Sequence, residues 1–124
     1  MAAPNIVNVA TITGKTAYAT PANTNATVLL ANSVSSNKVF KINSLVASNV
    51  DGTAAADVTV AVNTNAAGSG TSYPLASTVS VPADASLIIV DKTNAIYLEE
   101  DKSIVVTSGS ANDISFVVSY EEIS

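Results

Sequence analysis

The chain has 124 residues, with no cysteine, histidine, arginine or tryptophan, five lysines against ten acidic residues, and a net charge of −5. Those counts exclude disulfides and thiolate metal sites, deprive any serine nucleophile of its usual imidazole base, and leave no basic surface to neutralise a phosphate backbone. One domain with an ordinary core is expected, in which Ala and Val supply much of the 48 % apolar content and Ser, Thr and Asn stand where Lys and Glu usually sit.

Residues 5–13 (NIVNVATIT) are rich in β-branched side chains but follow Pro4, which suits an edge strand or an arm reaching onto a neighbour. Gly14-Lys15 reads as a break, so residues 1–13 are set apart as an arm or edge strand and residues 14–124 as a single sandwich domain. No basic-then-apolar leader opens the chain, and no apolar run reaches the roughly 20 residues that span a bilayer. Cytoplasmic synthesis without membrane insertion is the expectation. A short extended piece around Tyr18, a polar loop over residues 21–25 and a short apolar strand over residues 26–31 follow. Asn25-Ala26-Thr27 matches a glycosylation acceptor, read as chance in the absence of a leader.

Residues 38–63 (KVFKINSLVASNVDGTAAADVTVAVN) hold two β-branched runs around Asp51-Gly52, residue types that suit a tight hairpin turn, and predict a central β-hairpin. In the second run Val58, Val60 and Val62 alternate with Asp57, Thr59, Ala61 and Asn63, which gives one buried and one wet face. Residues 64–72 (TNAAGSGTS) read as an exposed, flexible loop suited to contact. Residues 73–81 alternate in part, Pro82 starts a turn, and residues 86–90 (SLIIV) form a continuous apolar run expected to be a central strand.

After a turn at Asp91 and a strand at residues 95–98, a charged tip at Glu99, Glu100 and Asp101 leads into residues 103–107 (SIVVT). The last strand, residues 113–120, should bury Ile114, Phe116, Val118 and Tyr120 and present Ser115, Val117 and Ser119, with a short acidic tail behind it. Roughly eight or nine short strands with turns at about 8–12 residue intervals predict an all-β fold, an antiparallel two-sheet β-sandwich, jelly-roll-like, of about eight strands.

No catalytic, cofactor-binding or metal-binding residue is assigned. The lysines (Lys15, Lys38, Lys41, Lys92, Lys102) read as scattered solvated heads, and Asp51, Asp84, Asp91 and Asp113 as turn carboxylates, since no D-x-D-x-D-G calcium loop is present. A glycosidase would pair two carboxylates beside aromatic platforms, which a chain with 5 % aromatic residues does not supply. Tyr18 and Tyr73 border loops and are the candidates for stacking a sugar, whereas Tyr97 and Tyr120 lie within apolar patterns that suit core or interface packing.

The segments KVFKINSLVASNVDGTAAADVTVAVN, STVSVPADASLIIVDK, AIYLEEDKSIVVTSG and ISFVVSYEEI, in this order, resemble the small β-sandwich virion proteins of tailed bacteriophages, particularly of marine cyanophage type. The likeness runs from Val28 onward and lies in strand, turn and proline placement. It departs at Glu100, where such sandwiches often carry glycine. The resemblance implies a non-enzymatic virion structural protein, a capsid decoration or cement protein or else a neck, tail or fibre component. Its implied partners are the major capsid protein or neck and tail proteins and further copies of itself, with no nucleic acid and no membrane. A carbohydrate- or host-surface-binding module is the alternative from another class.

Overall fold

The computed structural model describes residues 10–124. Of the arm or edge strand expected over residues 1–13, residues 1–9 lie outside the described residues, and Ile12 and Thr13 open β1, which ends its sheet. Nine strands form: β1 (Ile12–Ala19), β2 (Thr27–Asn32), β3 (Val39–Asn49), β4 (Ala56–Asn63), β5 (Ser72–Val81), β6 (Ser86–Val90), β7 (Ile96–Leu98), β8 (Lys102–Ser108) and β9 (Ile114–Ile123). The strand β1 runs straight through Gly14 and Lys15, so no break falls there. The acidic tail is no tail either, since β9 carries on through Glu121 and Glu122 to Ile123.

All pairings are antiparallel. One sheet has the order β1-β9-β3-β6, with β7 also on β3, and the other has the order β2-β8-β4-β5. The strands β6 and β7 occupy successive stretches of the same β3 edge, Leu45 to Ser48 and then Phe40 to Ile42. They act as one strand interrupted by a 3-10 turn at Lys92–Asn94, which Asp91 caps. Eight effective strands then nest as the pairs β4:β5, β3:β6/β7, β2:β8 and β1:β9. This is a long hairpin rolled over on itself, the jelly-roll arrangement.

The hairpin expected at Asp51-Gly52 is not formed. The strand β3 belongs to the first sheet and β4 to the second, so residues 50–55 are a crossover between sheets. A two-residue turn joins strands about 5 Å apart, whereas packed sheets lie about 10 Å apart, and the longer connection spans that gap. Gly52 accordingly does not adopt the left-handed conformation of a tight turn. The in-sheet hairpin is β4–β5, one connection further along. The run SLIIV is an edge strand rather than a central one: β6 pairs only with β3, and Ile88 points away from the core.

The core lies between the sheets. Ile42, Leu45, Ile114, Phe116 and Val118 from the first sheet meet Val58, Val60, Ile104 and Val106 from the second. The alternation read along β9 holds, with Ile114, Phe116, Val118 and Tyr120 all buried. Tyr120 stacks on Phe40 with ring centroids 5.1 Å apart, a tilted aromatic pair at one end of the core.

Candidate functional site

Three buried asparagines end three successive strands, Asn32 on β2, Asn49 on β3 and Asn63 on β4. An asparagine amide can both donate and accept, and each of these does both to shape the loop that follows, with Asn32 Oδ1 accepting from the Ser36 hydroxyl. Asn32 Nδ2 donates to the carbonyls of Lys38 and Leu98 at 2.9 and 3.0 Å. Asn49 Nδ2 donates to Ala54 and Val81, both at 2.9 Å, while its Oδ1 accepts the Asp51 N–H. That set ties the β3–β4 crossover to the end of β5. Asn63 donates to the carbonyls of Gly68 and Gly70 and to Ser72 Oγ, and it accepts the N–H groups of Asn65 and Gly70.

The loop over residues 64–71 is therefore held down rather than loose. Ser103 Oγ donates to the Asn65 carbonyl at 2.7 Å, and the Ala66 N–H donates to the Asp101 carboxylate at 3.1 Å. Asp101, expected as a solvated tip, also donates its own N–H to the Asn32 carbonyl and so joins three loops. The loop lies over the outer face of the second sheet, so Ala61, Asn63, Ser103 and Val105 are buried there. The alternation read along β4 placed Ala61 and Asn63 on the face opposite the core, but that face is covered at this end.

The lysines are not all scattered heads. Lys15 and Lys38 converge on Glu122, at 3.0 and 2.7 Å. The hydrogen bonds from Lys38 and then Lys15 hold the Glu122 carboxyl below its ordinary range, and the bond to Glu122 raises Lys15. Asp91 is lowered by hydrogen bonds from the Thr93 hydroxyl and N–H, consistent with its role as a cap. Asp51 likewise accepts from the N–H and hydroxyl of Thr53 within its own turn.

Among the described residues no cleft opens and no cluster of three metal-ligating side chains forms. Tyr18 and Tyr73 are both exposed, but Tyr18 is on β1 and Tyr73 on β5, at opposite flanks of the sandwich. They make no shared platform for a sugar. Tyr120 is in the core, whereas Tyr97 stands half exposed on the outer face of the first sheet.

That outer face is the surface with the most distinctive chemistry. Paired residues on neighbouring strands share a face, so the registers give its rows directly. Tyr18, Val117, Val46 and Ile88 form one row across β1, β9, β3 and β6. Tyr18 is 76 % exposed, Ile88 63 % and Val117 42 %. On one side lie Thr16, Ser119 and Ser44, and on the other Ser115, Ser48 and Ser86 with Thr20 bonded to Ser115. These three central rows hold no charged side chain. Beyond the first hydroxyl row come Gly14, Glu121, Lys41 and Tyr97. The apolar row was not legible in the sequence, because its four members come from four separate segments.

No protein-family model matches the chain, and no curated protein matches it in sequence.

Proposed function

We propose that the chain is a non-enzymatic structural subunit of a tailed-phage virion, acting as a capsid decoration protein through protein–protein contacts with the major capsid protein and with its own copies. The observation that carries this reading is the outer face of the first sheet, an exposed apolar row bordered on both sides by hydroxyl side chains with no charge among them. Such a face loses little solvation when covered, and short Ser and Thr side chains lose little entropy on being fixed. The cross-tied loops suit a rigid block whose contacts are made by surfaces already in place. Many symmetric copies on one particle turn weak single contacts into firm attachment.

Mass spectrometry of purified intact particles tests the reading. Hundreds of copies per particle support a capsid role, whereas roughly six to eighteen copies place the subunit in the neck or tail, following closed cyclic symmetry and its multiples. Absence from purified particles overturns it.

A further inference from the structure

The outer rows of the first sheet have an order that complements itself. We propose that this face docks a second copy of the chain about a twofold axis that runs parallel to the strands between β9 and β3. The proposal rests on the reading of the chain as a self-assembling subunit. Such an axis keeps each row at its own height and reverses its sense across the strands. Tyr18 then meets the partner's Ile88, and Val117 meets the partner's Val46, so the four apolar groups of one copy cover the four of the other. The hydroxyl rows face hydroxyl rows.

In the fourth row the same reversal brings Lys41 against the partner's Glu121, twice by symmetry. Among the described residues neither Lys41 nor Glu121 has an ion-pair partner within its own chain. Gly14 comes opposite the partner's Tyr97, and the space where a Gly14 Cβ would stand has no atom within 4 Å, which leaves room for the ring.

Charge selects a second copy over other occupants. The chain carries −5, so two copies repel over most of their surfaces. Here the three central rows are neutral, and the fourth holds one lysine and one glutamate that the axis turns into two pairs. A polyanion finds no cluster of cations on this face, and a basic partner finds a single carboxylate with Lys41 beside it on the next strand. The alternative axis, along the apolar row, stacks Tyr18 on its own copy and leaves Lys41 and Glu121 unpaired. Four strands about 4.8 Å apart and about eight residues of 3.4 Å rise give a face of roughly 500 Å² in projection. That is at the small end of specific interfaces, the range of weak, transient association.

Sedimentation of the whole chain from about 1 μM to 1 mM should show the mass rising from 12.5 kDa towards twice that value. Ile88→Asp, at an exposed position, should weaken dimerisation at least about tenfold with melting of the monomer little changed; Ile88→Thr serves should the aspartate variant not fold. Lys41→Glu and Glu121→Lys should each weaken it similarly, and an equimolar mixture of the two should restore it, because each then meets its opposite across the axis. With no native cysteine, a Tyr18→Cys/Ile88→Cys chain should form an intermolecular disulfide under oxidation. The two sites within one chain are three strand spacings apart, about 14 Å, too far to bridge.

A wild-type chain that stays monomeric at 1 mM, a dimer indifferent to Ile88→Asp, a mixture that fails to recover, or a disulfide formed by Ile88→Cys alone would each overturn the proposal. These outcomes are separable from the particle reading. A monomer present in many copies on particles removes this interface alone, and a solution dimer absent from particles removes the virion role alone.

Discussion

The side chain of Asn63 makes a reciprocal pair with the backbone of Gly70: its Oδ1 accepts the Gly70 N–H at 3.0 Å, and its Nδ2 donates to the Gly70 carbonyl at 3.2 Å. A side-chain amide here does what a neighbouring strand would do, extending the β4–β5 ladder beyond the last backbone pair. Because Asn63 is 1 % exposed, water cannot replace it. Asn63→Ala should therefore cost about 2–4 kcal/mol, the expense of leaving several buried polar groups unpaired. The exposed Asn23, which accepts the Asn25 N–H and has no other bond among the described residues, should cost within about 0.5 kcal/mol when changed to Ala. Urea unfolding of both variants checks the contrast, and equal midpoints would refute the pinned-loop account.

Gly68 holds the same loop down in another way. Its φ is +79°, and an added Cβ would stand 2.8 Å from Val28 Cγ2 and 3.4 Å from Val105 Cγ2. Gly68→Ala should destabilise by about 1–3 kcal/mol, through backbone strain and overlap together. In Val28→Ala/Gly68→Ala the overlap is relieved and the strain remains, so the double variant should lose less than the sum of the singles. Additive losses would show that the loop does not press on β2.

Gly52 separates a hairpin turn from a crossover. In a two-residue hairpin with positive φ, replacing Gly by Ala costs about 1 kcal/mol or more. In the crossover Gly52 is outside the left-handed region, and an added Cβ would make only ordinary contact with the Asp84 carboxylate at 3.5 Å. Gly52→Ala should change stability by less than about 0.5 kcal/mol in denaturant titrations.

The mistaken hairpin shows where sequence reading ends in this fold. Alternation in β9 and β4 reports which side chains share a face, because successive residues point to opposite sides of any strand. It does not report which strand lies alongside. The strand β3 pairs with β9, far along the chain, and no local signal in either segment names the other. Nor does alternation say what covers the second face, and Ala61 and Asn63, wet by pattern, are buried there. The strand-ending asparagines did leave a trace: Asn49-Val50-Asp51 and Asn63-Thr64-Asn65 place an amide two residues before an N–H that it accepts. Small residues in residues 64–72 suggested mobility, but a Gly-rich loop is also what allows close approach to a sheet face, as Gly68 does.

Glu122 sets the acid limit of the edge strand. It is the one carboxylate with two lysine partners among the described residues, Lys38 on the β3 side and Lys15 on β1. Its folded-state pKa lies below the ordinary glutamate value of 4.5, chiefly through the hydrogen bond from Lys38 and then that from Lys15. The stabilisation is thus fully present above the unfolded pKa and is lost as pH falls through the folded one. Lys15 runs the other way: raised above 10.5, it contributes below that value and loses its contribution as strong alkali deprotonates it. Unfolding free energy should hence fall between neutrality and acid pH, with the Glu122 share disappearing below about pH 4.5. Glu122→Gln keeps the shape and removes the titration. It should be less stable than the wild type at pH 7 and approach it at pH 2–3, and its pH profile should be flatter. Urea titrations of the two chains from pH 2 to 8 supply the measurement. Parallel profiles, with the same loss at every pH, would mean that the two lysines contribute nothing through the Glu122 charge.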